Sequence, residues 1–152
     1  MLLRSADGSE FEMTVLGYQF PDILKDYWDS NWLEISVRVR SSLGSWQAVH
    51  PCLLAFEAHD LASWLASVAE DQAEEAVAEF MEPCLSFKLL ESSRELVLLR
   101  ISFELELRPP WVDKFAGEVH VDFRLSHEDV REAAKSVSGA LGQFPVRGVA
   151  DE

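Results

Sequence analysis

The chain has 152 residues, 48% of them hydrophobic and 26% charged, and its 27 acidic residues against 13 basic ones give a net charge of −14. A chain of this length buries about 68–70% of its unfolded surface in one core, which argues against disorder and for a single domain over residues 1–152. The charge repels phosphates and anionic lipid surfaces, so it argues against nucleic acid and membranes and favours cationic partners.

The first part of the chain predicts four strands. "MLLRSA" and residues 10–20 form a pair turned by "DGS" at 7–9. In "NWLEISVRVRSS", apolar and polar residues alternate as in a half-buried antiparallel strand, and "SSLGS" predicts a hairpin into a strand over 45–55. Between the second and third strands, the loop-like "GYQFPDILKDYWDSNW" mixes aromatic and acidic residues.

A helix over roughly 58–72 follows, since apolar residues recur there at helical spacing, and acidic "EDQAEEAVAEF" extends it or forms a separate turn. Strands are predicted over 83–90, over "RELVLLRISFELELRPP" as far as Leu107, and over "GEVHVDFRLS". A second helix begins after Ser126, where Ser-x-x-Asp is a capping box, and ends near Gly142 and Pro145.

The order of these elements predicts an α+β fold. We expect a twisted, mainly antiparallel β-sheet of about six to seven strands, with two amphipathic helices packed on one face. No linker or repeated module long enough to divide the chain is visible in the sequence.

The acidic residues are concentrated in residues 1–87, which hold fifteen acids and four bases. No lysine or arginine lies between Arg40 and Lys88, yet eight carboxylates do. They are Glu57, Asp60, Glu70, Asp71, Glu74, Glu75, Glu79 and Glu82. An acidic surface for solubility alone explains this distribution equally well.

The two cysteines lie in similar segments, "HPCLLAF" and "MEPCLSF". Cys52 and Cys84 are thirty-two residues apart, and no neighbouring Cys or His has zinc-ligand spacing. His50 shares a strand face with Cys52, but a metal site needs two further ligands. The polar N-terminus lacks the apolar segment of a signal peptide, which predicts a cytoplasmic protein with reduced thiols. We therefore expect two buried free cysteines, no metal site and no cofactor.

Catalytic arrangements are weakly represented. Ser126-His127 is better explained as a helix cap with a surface histidine than as part of a catalytic triad. Glu104 and Glu106 are expected on one strand face, where ion pairing with arginines is simpler than acid–base chemistry. The sequence predicts a protein that is not an enzyme.

Several stretches together resemble the WapI-type immunity protein family. They are "NWLEISVRV", "GSW…PCLLAFEAHDLASWL", "EPCLSF", "FELELRPPW" and "FPVRG", spread over roughly residues 30–148. Members are small bacterial proteins encoded beside contact-dependent or polymorphic toxins. The resemblance implies stoichiometric occlusion of a toxin domain, commonly a nuclease with a basic surface, and no catalytic residue.

A cognate, basic toxin domain is therefore the expected partner, and the acidic first half of the chain is the expected contact surface. The candidate partner-binding residues are Asp22, Asp26, Tyr27, Trp28, Asp29, Glu70, Asp71, Glu74 and Glu75. Aromatic anchors among carboxylates suit a basic partner, although Trp28 and Trp32 packing over a sheet edge would explain the first group as well. The alternative function is small-molecule binding in a pocket between sheet and helices near Trp64 and Trp111.

Overall fold

The computed structural model describes residues 1–113 and 115–148 of the chain. Eight strands and two α-helices occur within these residues. The strands are β1 (Leu2–Arg4), β2 (Glu10–Tyr18), β3 (Trp32–Ser41), β4 (Gly44–Leu54), β5 (Val77–Ala78), β6 (Leu85–Ser92), β7 (Val97–Phe103) and β8 (Val119–Leu125). The helices are α1 (Ala55–Ala69) and α2 (His127–Leu141), with short 3-10 turns at Asp29–Asn31 and Leu105–Leu107.

The strands form two antiparallel sheets, each with its strands in chain order. Sheet A contains β1-β2-β3-β4 and sheet B contains β5-β6-β7-β8. The α+β class is confirmed, but the prediction of about six to seven strands in one sheet is corrected to eight strands in two sheets. Alternation identifies a strand without identifying its partners, and the very short β1 and β5 carry little pattern of their own.

The two sheets share one core in which four phenylalanine rings meet. Phe11 of sheet A lies 5.9 Å from Phe87, 6.0 Å from Phe103 and 6.4 Å from Phe123, all in sheet B, measured between ring centroids. All four side chains are fully buried. The alternating apolar residues of β3 and β7 face this core, and their polar neighbours face outwards.

The helices pack against each other, with the C-terminal end of α1 beside the N-terminal end of α2. The Ser126 hydroxyl accepts from the Asp129 N–H at 3.0 Å, and the Asp129 carboxylate accepts from the Ser126 N–H at 2.9 Å, which confirms the predicted capping box. Helix α1 begins at Ala55, earlier than predicted, because the Glu57 carboxylate accepts from the Leu54 N–H at 3.1 Å. No helix in the described part of the chain combines the length and apolar character needed to cross a membrane.

Strand β7 ends at Phe103, whereas the alternation predicted a strand as far as Leu107. Leu105 has a φ of +50° and opens the 3-10 turn, which ends with buried Leu107. The indole N–H of Trp46 donates to the Leu107 carbonyl at 3.0 Å, which fixes the turn against sheet A. Glu104 and Glu106 therefore do not share a strand face, and that prediction is wrong.

The sheet-to-sheet contact gives a stability prediction. Phe11→Ala removes a ring packed on three others, so we expect the free energy of unfolding to fall by about 3–5 kcal/mol in urea titrations. Phe20→Ala is the control, because Phe20 is an exposed phenylalanine, and it should change the value by about 0.5 kcal/mol or less. Equal losses in the two variants would contradict the packing described for Phe11.

Candidate protein-binding surface

The loop between β2 and β3 carries the first predicted group. The Tyr27 ring stacks on Phe56 of α1, with centroids 5.1 Å apart and planes 6° apart. The Trp28 ring lies edge-on to both, 5.2 Å from Tyr27 and 6.0 Å from Phe56. Tyr27 is half-buried, whereas the Trp28 side chain is 48% exposed. The three rings thus attach the loop to the start of α1 and leave Trp28 facing solvent.

Hydrogen bonds hold this loop in one conformation. The Asp26 carboxylate accepts from the backbone N–H groups of Trp28 at 2.9 Å and Asp29 at 2.7 Å. The buried Asn31 amide donates to the Tyr27 carbonyl at 2.6 Å and exchanges two hydrogen bonds with the Arg147 backbone at 2.7 and 2.8 Å. Asp26 is therefore occupied by the turn it stabilises, while Asp22 and Asp29 are exposed.

The second predicted group follows α1. The Glu70 carboxylate pairs with the Arg131 guanidinium at 2.8 Å, and the Asp71 carboxylate accepts from the Ser92 hydroxyl at 3.1 Å. Glu74 and Glu75 are exposed, and the Glu75 carbonyl accepts from the Trp64 indole at 2.9 Å. Two of these four acids thus make side-chain contacts within the protein, and the other two extend towards solvent.

A groove along the exposed side of α1 lies between the two groups; we call it the α1 groove. Its volume is about 470 Å³, and its lining holds four carboxylates and no lysine or arginine among the described residues. The lining residues are Phe56, Glu57, Asp60, Leu61, Trp64, Glu75, Val77, Ala78, Glu79 and Phe80. Phe56 connects the groove to the Tyr27 stack, and Glu75 belongs to the second group. The structure therefore places Glu75 of the second group in the groove, and it joins the first group to the groove through the stacking of Tyr27 on Phe56.

Glu57, which caps the start of α1, also holds the segment that faces α1 across the groove. The Glu57 carboxylate, which accepts from the Leu54 N–H through one oxygen, accepts from the Met81 N–H at 2.7 Å through the other. The Trp64 and Phe80 rings both approach the buried Phe87, at 6.4 and 6.3 Å. The groove wall is thus fixed to the core at its base.

Sequence reasoning missed Phe56, Asp60, Glu79 and Phe80 as members of this surface. The available signal was that no lysine or arginine lies between Arg40 and Lys88. All the residues that line the groove belong to this part of the sequence. Helical spacing would have placed Phe56, Asp60 and Trp64 on one face of α1. Nothing in the pattern of residues 75–80 predicts that this segment folds back beside the helix.

Two other depressions are lined by charges of both signs. One, of about 560 Å³, lies on the outer face of sheet A and is lined by Arg4, Arg38 and Arg40 with Glu10 and Glu12. The other, of about 650 Å³, lies between the helices, where basic Arg131 and Lys135 accompany Glu70. Neither concentrates charge of one sign as the α1 groove does.

The residues considered for catalysis have structural contacts. His127 contacts the carbonyls of Ala69 and Ser93 through its two ring nitrogens at 3.0 and 2.7 Å, so it joins α2 to the end of α1. The Arg100 guanidinium hydrogen-bonds to Asp122 at 2.8 and 3.0 Å and holds the pKa of that carboxyl below its usual range. The predicted arginine pairing on the outer sheet face therefore involves Asp122 rather than Glu104 or Glu106.

Cys52 and Cys84 are both buried and free, and the fold brings them together. A hydrogen bond between the two thiols and burial raise the pKa of Cys52, and the nearby Glu82 carboxylate acts in the same direction. Ligand atoms of His50, Glu82 and Cys84 lie within 4.8 Å of one another. The sequence spacing did not predict this convergence.

Trp64 and Trp111, proposed as neighbours of one small-molecule pocket, contact different parts of the molecule. Trp64 lines the α1 groove. Trp111 lies edge-on to Trp46 at 5.9 Å and covers Gly44 in the β3–β4 hairpin, where a Cβ atom would lie 2.9 Å from its ring. The hairpin glycine, with a φ of +121°, thus makes room for the Trp111 ring.

Comparison with known proteins adds one finding to this geometry. No curated protein and no solved structure gives a significant match. The sequence profile of the immunity protein WapI-like family matches residues 1–145 of the 152. This match covers both sheets, both helices and the whole α1 groove. The chain belongs to the immunity protein WapI-like family.

Proposed function

We propose that the protein neutralises a cognate toxin by binding it stoichiometrically, without turnover, through the α1 groove and the adjoining Tyr27–Trp28 loop. The observation that carries the proposal is a groove with four carboxylates and no base among its described lining residues, next to an exposed tryptophan. Family membership supplies the class of partner, a toxin. The negative charge of the groove indicates that the partner's contact surface is basic.

Electrostatics favour fast association with such a partner. Like charges confined to a concave surface reinforce one another's potential and raise the rate of encounter with a cationic surface. Asp60, Glu75 and Glu79 make no ion pair with a described lysine, arginine or histidine, so their charge is available to a partner. A basic nuclease domain would meet here the sign of charge that it meets on its substrate.

The aromatic residues favour a long-lived complex. Exposed tryptophans surrounded by polar groups are frequent energetic anchors of protein interfaces. Trp28 is already held by Tyr27 and Phe56, so little side-chain freedom is lost when a partner covers it. Among the predicted residues, Asp22, Trp28, Asp29, Glu74 and Glu75 are placed best for contact. Asp26, Tyr27, Glu70 and Asp71 support the surface through their internal contacts.

Replacing three groove carboxylates with amides tests whether their charge contributes to binding. We expect Asp60→Asn/Glu75→Gln/Glu79→Gln to weaken binding to the cognate toxin domain by about 10-fold or more at low salt, mainly through slower association. Surface plasmon resonance at several salt concentrations gives both rates. The dependence of the association rate on salt should be shallower than for the unchanged protein.

The matched control changes the same net charge elsewhere. Glu95→Gln/Glu118→Gln/Glu132→Gln removes three exposed carboxylates outside the α1 groove and should alter affinity by about threefold or less. If both triple variants weaken binding equally, net charge alone acts and the groove is not the contact site.

The aromatic argument is tested by truncating two tryptophans of similar exposure. Trp28→Ala should weaken toxin binding by about 30-fold or more, mostly through faster dissociation, because a central anchor is lost. Trp111 is 53% exposed against 48% for Trp28, and Trp111→Ala serves as the control. Calorimetric titration of both variants, with unfolding curves to confirm the fold, compares them directly. A larger loss for Trp111→Ala would place the interface at the other end of sheet A.

A further inference from the structure

The two Pro-Cys segments, far apart in sequence, meet in the fold. His50-Pro51-Cys52 lies near the end of β4, and Glu82-Pro83-Cys84 leads into β6. One ligand atom each from His50, Glu82 and Cys84 falls within a 4.8 Å cluster. The buried Cys52 thiol adjoins Cys84 but is not one of these three groups. Each segment thus holds one cysteine and one further side chain of a metal-ligating type, two residues apart.

A β-bulge separates the two side chains of the β4 segment. Leu53 pairs with Leu33 while Pro51 pairs with Glu34, so Cys52 is the extra residue of a β-bulge. A bulge redirects the side chains around it, and β4 is an edge strand where a proline without an N–H is tolerated. The other segment is held by the Glu104 N–H, which donates to the Cys84 carbonyl at 3.0 Å.

We propose that His50, Glu82 and Cys84 bind one Zn²⁺ ion that joins the end of β4 in sheet A to the start of β6 in sheet B, with a water molecule as the fourth ligand. A thiolate, an imidazole and a carboxylate are all ligands that zinc accepts, and water takes the fourth position in zinc sites with three protein ligands. Donor atoms around such an ion lie about 3.3–3.8 Å apart, so the 4.8 Å cluster needs to contract by about 1 Å. When the ion binds, the Cys84 thiol loses its proton to solvent and its sulfur becomes a ligand.

Burial and neighbouring charge fit the site. Both cysteines are fully buried, whereas His50 and Glu82 are partly exposed and provide a path for the ion. A further carboxylate oxygen, from Glu106, lies 3.6 Å from the His50 Nε2 atom and is of the kind that orients metal-bound histidines. A disulfide between the cysteines would leave the convergence of His50 and Glu82 without a role.

The ion would also fix one wall of the α1 groove. Glu82 follows Met81, whose N–H is bonded to Glu57, and Phe80 lines the groove itself. Zinc binding at residues 82–84 therefore immobilises the chain next to the groove. The site rests on its own geometry and does not depend on the proposed toxin contact.

Cobalt titration of the full-length protein, stripped with a chelator and fully reduced, tests the proposal. Co²⁺ is a spectroscopic substitute for Zn²⁺, and we expect one equivalent to give thiolate charge-transfer and tetrahedral d–d absorption that Zn²⁺ then abolishes. Saturating Zn²⁺ should raise the melting temperature by about 5 °C or more, because the ion binds the folded state. Absence of both signals, with two thiols titratable after unfolding, would overturn the proposal.

Two variants and a control assign the ligands. Cys84→Ser should abolish the charge-transfer bands, and His50→Gln should weaken zinc binding about 100-fold. His50 is partly exposed, so His50→Gln tests the site even where a buried cysteine variant does not fold. The control His59→Gln changes an exposed histidine of α1 outside the cluster and should leave zinc affinity within about twofold. Equal zinc affinity in His50→Gln and His59→Gln would exclude the site.

Discussion

The contact of Phe11 with three phenylalanines of the facing sheet determines how the rest of the molecule is arranged. Each sheet is a simple meander that is apolar on one face, and neither can bury that face alone. Packing them around these rings leaves α1 as the connection from sheet A to sheet B. The position of α1, and with it the acidic groove, follows from how the two sheets meet.

Helix α1 has one side buried in the core and one side that lines the α1 groove. Its buried side consists of small and aliphatic residues that pack into the shared core. Its exposed side carries Phe56, Asp60 and Trp64, facing a segment that adds two further carboxylates, Glu75 and Glu79. Like charges held this close repel one another and lower the stability of the folded state. The basic partner proposed above would remove that repulsion on binding, so the arrangement would favour the complex over the free protein.

Much of the fold was readable from local pattern. The strand alternation of Leu33 to Val39 and the Ser126 capping box both express rules that act within a few residues. The division into two sheets was not readable, because pairing depends on contacts between distant segments. Leu105 continued the alternation in sequence, yet the chain turns there.

In the candidate sites, too, some residues were identifiable from local sequence and others depend on contacts between distant segments. The acidic run and the Tyr27–Trp28 cluster could be identified from composition, but Phe56, which joins them, looked like an ordinary helix residue. His50 and Cys52 were recognised as two ligands short of a site. Ligand atoms of Glu82 and Cys84 come within 4.8 Å of one on His50 only because the end of β4 and the start of β6 meet in the fold.

The five tryptophans provide the most direct test of the central claim, that the protein binds its toxin through the α1 groove and the adjoining loop. Trp28 and Trp64 lie on this surface, whereas Trp46 and Trp111 lie at the β3–β4 hairpin and the turn after β7. Indole N–H signals in ¹⁵N nuclear magnetic resonance spectra report each tryptophan separately when toxin is added. The account predicts that Trp28 and Trp64 shift or broaden while Trp46 and Trp111 stay unchanged. Shifts confined to Trp46 and Trp111 would contradict it.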